Sequence, residues 1–249
     1  ARKIIYMTDS LSTRLAAPGI LVAPGCYDAL SASLIERAGF CAAYLSGASI
    51  AYTRFGRPDI GLVGMSEVAE VVSQIRERVA IPLIVDADTG FGNALNVQRT
   101  MQLFERSGAS AIQREDQQLT KRCGHLAGKT LVSAREMAGK IRAACDARRD
   151  ADFLIVARTA ADTIAEATER ACLYAEAGAD LIMLDNMKVP EMTLAVRTVR
   201  GRALLEASGN VRLETVRAIA ETGVDFISTS AMIHSSRWSD LSLLFDFKA

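Results

Sequence analysis

The chain has 249 residues, half of them apolar, with 29 acidic and 29 basic side chains and a formal net charge of zero. That length suits one large core, and single α/β barrels commonly run to about 250 residues. A neutral balance leaves no electrostatic footprint for nucleic acid or an anionic membrane, and no apolar run approaches the roughly 20 residues that span a bilayer.

The opening ARKIIYMTDS lacks a secretory apolar core with a small-residue cleavage site, so a cytoplasmic protein is expected. Five cysteines (26, 41, 123, 145 and 172) follow neither metal-ligand nor disulfide spacing, which fits reduced thiols. Ser10, Leu11 and Leu15, followed by Pro18-Gly19, read as a short helix with a Pro-Gly stop, placed to cover the floor of a barrel. Short apolar runs then recur at Ile20–Ala23, Ala42–Leu45, Leu83–Val85, Ala111–Gln113, Phe153–Ala157, Leu181–Leu184, Ala203–Leu205 and Phe226–Ser228. Between them lie helical periods such as Met65-Val68-Val72-Ile75, Val97-Met101-Phe104, Ala165-Ala171-Tyr174 and Val216-Ile219-Ala220. Gly39, Gly108, Gly178 and Gly223 each sit between a helical period and a strand, as helix C-caps do. Eight alternating βα units predict an α/β fold, a (βα)8 TIM barrel in a single domain over residues 1–249, with chemistry at the C-terminal strand ends.

At those ends lie IPLIVDADTGFG, with Asp86 and Asp88, and AIQREDQ, with Glu115 and Asp116. Carboxylates crowded at neighbouring strand ends repel one another unless a cation sits between them, and oxygen ligands in a polar pocket suit Mg²⁺, or Mn²⁺ in its place. Asp116 alone reads equally well as a cap or a solvated acid. Cys123, beside Lys121 and Arg122, has the cationic setting that makes a thiolate accessible, whereas an isolated cysteine is an inert small hydrophobe. His125 and His234 alone read as structural or surface residues.

Taken together, AYLSGAS, RPDIG, DADTGFG, REDQ, KRCGH and ART resemble the isocitrate lyase and phosphoenolpyruvate mutase superfamily, most closely its methylisocitrate lyase-like members, from about Leu15 to Thr159. The resemblance implies that Tyr44, Ser46, Gly47, Ala48 and Arg158 hold substrate oxygens and a carboxylate. It places Asp59 on a loop near the metal, Asp86 and Asp88 on the metal, and Glu115 in the metal shell through water. Lys121, Cys123, Gly124 and His125 match the catalytic loop, with Cys123 as the acid that protonates a departing carbanion. The implied activity is Mg²⁺-dependent cleavage of a C–C bond in a 2-hydroxy di- or tricarboxylate.

Past Ala160 the pattern changes. The superfamily usually has an acid after Arg-Thr, a Glu ending the sixth strand and an Asn-x-Thr-like segment after the seventh, where this chain has Ala160-Ala161, Leu184-Asp185-Asn186 and Ala207-Ser208-Gly209-Asn210. Residues from about Glu166 to Phe247, with AGADLIMLDN and LLEASGNVRLETVRAIAETGVDFIS, resemble the C-terminal barrel part of quinolinate phosphoribosyltransferase. That resemblance implies a chimera: residues 1–160 supply five lyase-like βα units and 161–249 three transferase-like ones, with the metal half-site kept and catalysis weak or lost. The alternative is an active lyase, and a phosphoribosyltransferase is not expected because that enzyme's basic substrate residues and N-terminal domain have no counterpart here. Ser208, Gly209 and Asn210, opening a helix over 211–219, together with Ser228, Thr229 and Ser230, are expected to bind phosphate through backbone amides and hydroxyls. The expected partners are therefore a small carboxylate or phosphate ligand, with no nucleic acid and no membrane. The tail from Ser239 to Phe247, with Trp238 before it, should pack locally and leave a monomer or weak dimer.

Overall fold

A computed structural model describes residues 9–122 and 128–231. Its eight strands are β1 (Gly25–Cys26), β2 (Ala43–Leu45), β3 (Leu83–Asp86), β4 (Ala111–Glu115), β5 (Leu154–Thr159), β6 (Leu181–Asp185), β7 (Leu204–Ser208) and β8 (Phe226–Ser228). They form one sheet in chain order, each parallel to the next, and alternate with helices in the curled manner of a TIM-like barrel. Among the described residues no ladder joins β8 back to β1. The helices are α1 (Leu11–Ala16), α2 (Ala29–Arg37), α3 (Gly47–Phe55), α4 (Met65–Arg76), α5 (Ala94–Ser107), α6 (Ala134–Ala147), α7 (Ile164–Glu176), α8 (Val189–Val199) and α9 (Val216–Ala220).

Parallel strands covered on both faces tend to be apolar throughout, as β6 is up to Asp185; β4 is also buried along its whole length although Gln113, Arg114 and Glu115 are polar. Alternate residues divide between two cores. Ala157, Ile182 and Leu184 face outward against Ala171 and Tyr174 of α7, while Val156, Leu181 and Met183 pack with Phe226 on the inner face. Continuing the inner series one step brings Arg158 and Asp185 to the C-terminal end, so the interior turns from apolar to charged. Leu11 of α1 packs with Ala42, Ala111, Ile84 and Leu154 at the opposite, N-terminal ends, which puts the first helix on the floor as expected.

Two boundaries differ from the sequence reading. The first strand is Gly25–Cys26, paired with Tyr44 and Leu45, not the apolar run Ile20–Ala23. In that run Leu21 and Ala23 pack on the floor cluster, whereas Ile20 is 93% exposed, so its alternation covers the barrel end instead of building a ladder. The seventh strand extends through Ser208, and the next helix starts only at Val216.

Candidate active site

The site begins with the turn after β3. Asp86 Oδ1 accepts from the Asp88 amide at 3.0 Å, an Asx-turn that bends the chain at once, and Asp88 takes the left-handed conformation at φ 53°. Left-handed backbone at a non-glycine residue costs energy and tends to occur where function holds it. Gly90 at φ +87° completes the turn, because a Cβ there would lie 2.8 Å from a Val97 methyl. The other Asp86 oxygen, Oδ2, accepts from the Gly47 amide at 3.3 Å, at the start of α3. A Cβ at Gly47 would lie 3.0 Å from that oxygen, so a larger residue there would push the Asp86 carboxylate aside by a few tenths of an ångström. Ser46 caps α3 through its hydroxyl, and Ala48 lies in its first turn.

Lys121 reaches into this acidic cluster. Its ammonium lies 2.8 Å from Asp59 and 3.3 Å from Asp88 Oδ2, with only 6% of the side chain exposed. Burial alone would lower the ammonium's pKa, yet Asp86, Asp88, Glu115 and Asp59 together raise it above the usual lysine range. The carboxylates are not fully compensated in return. Burial pushes Asp88 up to about 6 and Glu115 up to about 7, against the pull of Lys121 on the first and of Arg158 and Lys121 on the second.

On the far side of Glu115, Arg158 on β5 lies 3.6 Å from Glu115 and 2.7 Å from Asp185 at the end of β6. Asp185 thus supplies a carboxylate where the sequence pattern seemed to have lost one. Behind them lies Glu206 on β7, hydrogen-bonded by the Ser228 hydroxyl and pushed up by burial to about 7. Tyr44 on β2 is raised well above the usual tyrosine range, first by burial and then by Asp86. Asp185 and Glu206 were missed as site residues because they sit inside apolar strand runs. The period-two alternation of those runs was the available signal.

Gln117 was also missed. Buried at 2% exposure, its amide donates to Glu115 at 3.1 Å and to the Arg122 carbonyl at 2.8 Å, and accepts from the Arg122 amide at 2.9 Å. It ties the segment carrying Lys121 to the end of β4. Asp116 is neither a cap nor a solvated acid. It is fully buried and accepts from Tyr174 Oη at 2.7 Å, Arg170 at 3.2 Å and the Ala160 amide at 3.0 Å, on the outer face of the strands.

The helix expected over 211–219, on which the phosphate expectation rests, starts later. Gly209 and Asn210 make a left-handed turn, Asn210 Nδ2 donates to Asn186 at 3.2 Å, and the amides of Ser208–Asn210 open no helix because α9 starts at Val216. Thr229 Oγ1 donates to the Val211 carbonyl at 2.9 Å and accepts from the Ala231 amide, Ser228 is committed to Glu206, and Ser230 is exposed. Cys123, Gly124, His125, His234 and the tail from Trp238 lie outside the described residues.

Whether the acidic cluster fits a divalent metal is decided by its donors. All are hard oxygens; Asp88 Oδ1 is buried without a hydrogen-bond partner; and Asp59, Asp86 and Asp88, with Gly47 and Phe91, line a cavity of about 10 Å³, the size of one water or small ion. Among the described residues no three acids, histidines or cysteines stand ready around a metal position, since Lys121 bridges Asp59 and Asp88. The residues fit the ion once that ammonium gives way. A cavity of about 280 Å³ lies at the other end, between Asp9, Arg76, Ser110 and Asp152, away from this chemistry.

Comparison with known proteins identifies the family. A family model described as phosphoenolpyruvate phosphomutase matches residues 11–243. The chain belongs to the phosphoenolpyruvate phosphomutase family. Within it the chain is 41% identical over 244 residues to a 2,3-dimethylmalate lyase of Eubacterium barkeri, covering 91% of this chain and 82% of that one. It is 55% identical over 166 residues to a 2-methylisocitrate lyase of Aeropyrum pernix, covering 66% of this chain and about half, 53%, of the relative. A solved phosphonopyruvate hydrolase in complex with oxalate and Mg²⁺ superposes with a TM-score of 0.71 at 34% identity, covering 82% of this chain and 73% of that one. The family match runs past residue 160 into the segment expected to come from a phosphoribosyltransferase, and these findings give no support to a junction there or to a phosphoribosyltransferase part. No described helix is long and apolar enough to cross a membrane.

Proposed function

We propose that the chain is an Mg²⁺-dependent carbon–carbon lyase that cleaves a 2-hydroxy di- or tricarboxylate into a 2-oxoacid and a second carboxylate. The observation that carries this reading is the gathering of Asp59, Asp86, Asp88 and Glu115 around the Lys121 ammonium, with Arg158 beside Glu115. The C-terminal strand ends of a TIM-like sheet are the natural setting for it.

Asp86 and Asp88 would hold the ion, with Glu115 joining through water, and Mn²⁺ could stand in its place. The ion supplies Lewis-acid stabilisation of negative charge developing on the 2-oxoacid oxygens. Arg158, with two or more N–H donors aimed at carboxylates, orients a substrate carboxylate, and it does so in competition with Asp185. Tyr44, Ser46, Gly47 and Ala48 line the side of β2 and α3 from which the substrate's other oxygens are reached. Asp59 holds the Lys121 ammonium in place. Cys123 is assigned the proton delivered to the departing carbanion, with His125 beside it on the same segment.

The test offers 2-methylisocitrate and 2,3-dimethylmalate, each with Mg²⁺ and with a chelator, and follows 2-oxoacid formation as its hydrazone. Metal-dependent turnover of at least one, lowered by about 100-fold or more in Asp86→Asn, is expected on the scale of lost metal ligation. No 2-oxoacid from either substrate would sink the proposal.

A further inference from the structure

Four carboxylates share one short stretch of the barrel mouth, and the only cation between Asp59 and Asp88 among the described residues is the Lys121 ammonium, at 2.8 and 3.3 Å. The same ammonium acts on Asp86 and Glu115 as well. We infer that Lys121 is the site's resident counter-ion, and that a divalent cation binds by exchange with it, expelling the ammonium from Asp88 as the metal enters. This rests on the metal reading proposed above.

The geometry favours exchange over simple addition. The cavity beside Asp59, Asp86 and Asp88 is about 10 Å³, room for one small occupant. The backbone beside Lys121 is tied down: Gln117 donates to the carbonyl of the next residue, Arg122, at 2.8 Å and accepts from its amide at 2.9 Å. An ammonium pinned so close to Asp88 would face a divalent ion across a few ångströms, and like charges at that separation repel by several kcal/mol at an effective dielectric of about 20. Either the metal stays out or the ammonium leaves. Asp88 Oδ1, buried without a hydrogen-bond partner, shows that Lys121 satisfies only half of that carboxylate. Without the ammonium the apo cluster would be left to mutual repulsion, which explains why a lysine is enclosed here.

Exchange makes two linked demands that a purely structural salt bridge does not. First, adding Mg²⁺ to the whole protein should make Lys121 reactive: labelling of lysines with acetic anhydride, read peptide by peptide by mass spectrometry, should rise at least fivefold at Lys121 on saturation and stay level at Lys140 and Lys188. Second, Lys121→Met should bind Mg²⁺ at least tenfold more tightly by calorimetry, while its apo form melts lower than the wild type. The wild-type labelling needs no variant, so a misfolded Lys121→Met leaves the first demand in force. If the wild type binds Mg²⁺ and either Lys121 labelling is unchanged or a folded Lys121→Met binds no more tightly, the exchange is overturned and the metal reading stands. If neither protein binds Mg²⁺, both fall. Binding by Lys121→Met alone would support exchange, with the lysine as the stronger competitor.

Discussion

Glu206 gives the most direct measure of how the barrel mouth bears its charge. Burial raises its carboxyl from 4.5 to about 7, opposed by the Ser228 hydroxyl and by Arg158. A folded pKa above the unfolded one means that the native state keeps a proton the unfolded chain has released. Stability from this group is therefore complete below about pH 4.5 and is lost as pH rises through 7. At about 1.4 kcal/mol per unit, the shift from 4.5 to about 7 amounts to roughly 3 kcal/mol, nearly all of it paid by pH 8 and under about 1 kcal/mol of it by pH 5. Glu206→Gln keeps an acceptor for Ser228 and removes the titration. The stability of the variant relative to wild type should then grow by about 2–3 kcal/mol between pH 5 and pH 8, or roughly 5–10 °C in melting temperature for a chain of this size. Urea unfolding at both values, without metal, measures it, and the slopes due to Asp88 and Glu115 cancel in the difference. A variant whose advantage is the same at pH 5 and pH 8 would refute the reasoning, since it would place the Glu206 carboxyl in contact with water.

Asp116 should be structural and separable from the metal site. Asp116→Ala leaves Arg170, Tyr174 and the Ala160 amide without their shared acceptor, so it should cost about 3–5 kcal/mol in urea unfolding while the folded protein's Mg²⁺ affinity stays within about twofold. Gly90→Ala combines a left-handed φ of +87° with a Cβ 2.8 Å from Val97, whereas Gly39→Ala has a similar φ of +91° and open space. The first should cost about 2–4 kcal/mol and the second only about 1 kcal/mol, and equal losses would mean that conformation, not crowding, decides.

The strands of this fold were legible because buried parallel strands are apolar on both faces and announce themselves as short runs without needing a partner. Where the reading slipped, a run had a second use. Ile20–Ala23 is apolar because Leu21 and Ala23 plug the floor, and no one-dimensional pattern separates a plug from a strand. The segment 208–216 reads as a strand followed at once by a helix, since Gly209-Asn210 looks like a helix start. The left-handed turn at φ 91° and 54°, braced by Asn210 on Asn186, delays the helix to Val216, so the amides of Ser208–Asn210 do not open it.

The site divides in the same way. Asp86, Asp88 and Glu115 were legible because strand ends collect function and because acids so close together in chain order need a cation. Which cation was not legible. Acids so close together need positive charge between them, and the fold supplies Lys121 before any metal, from a segment that comes near only when β4 lies beside β3. Asp185 and Glu206 were hidden for the opposite reason: each is one polar letter in an apolar strand, and only the inward register of Val156, Leu181 and Met183 shows that such a letter faces the mouth. With these two added, Asp59, Asp86, Asp88, Glu115, Asp185 and Glu206 gather around Lys121 and Arg158. Fully ionised, that is six negative charges against two positive. Burial raises the carboxyls of Asp88, Glu115 and Glu206. Added positive charge beside them would be stabilising, which is the condition an anionic substrate needs before it can approach an acidic mouth.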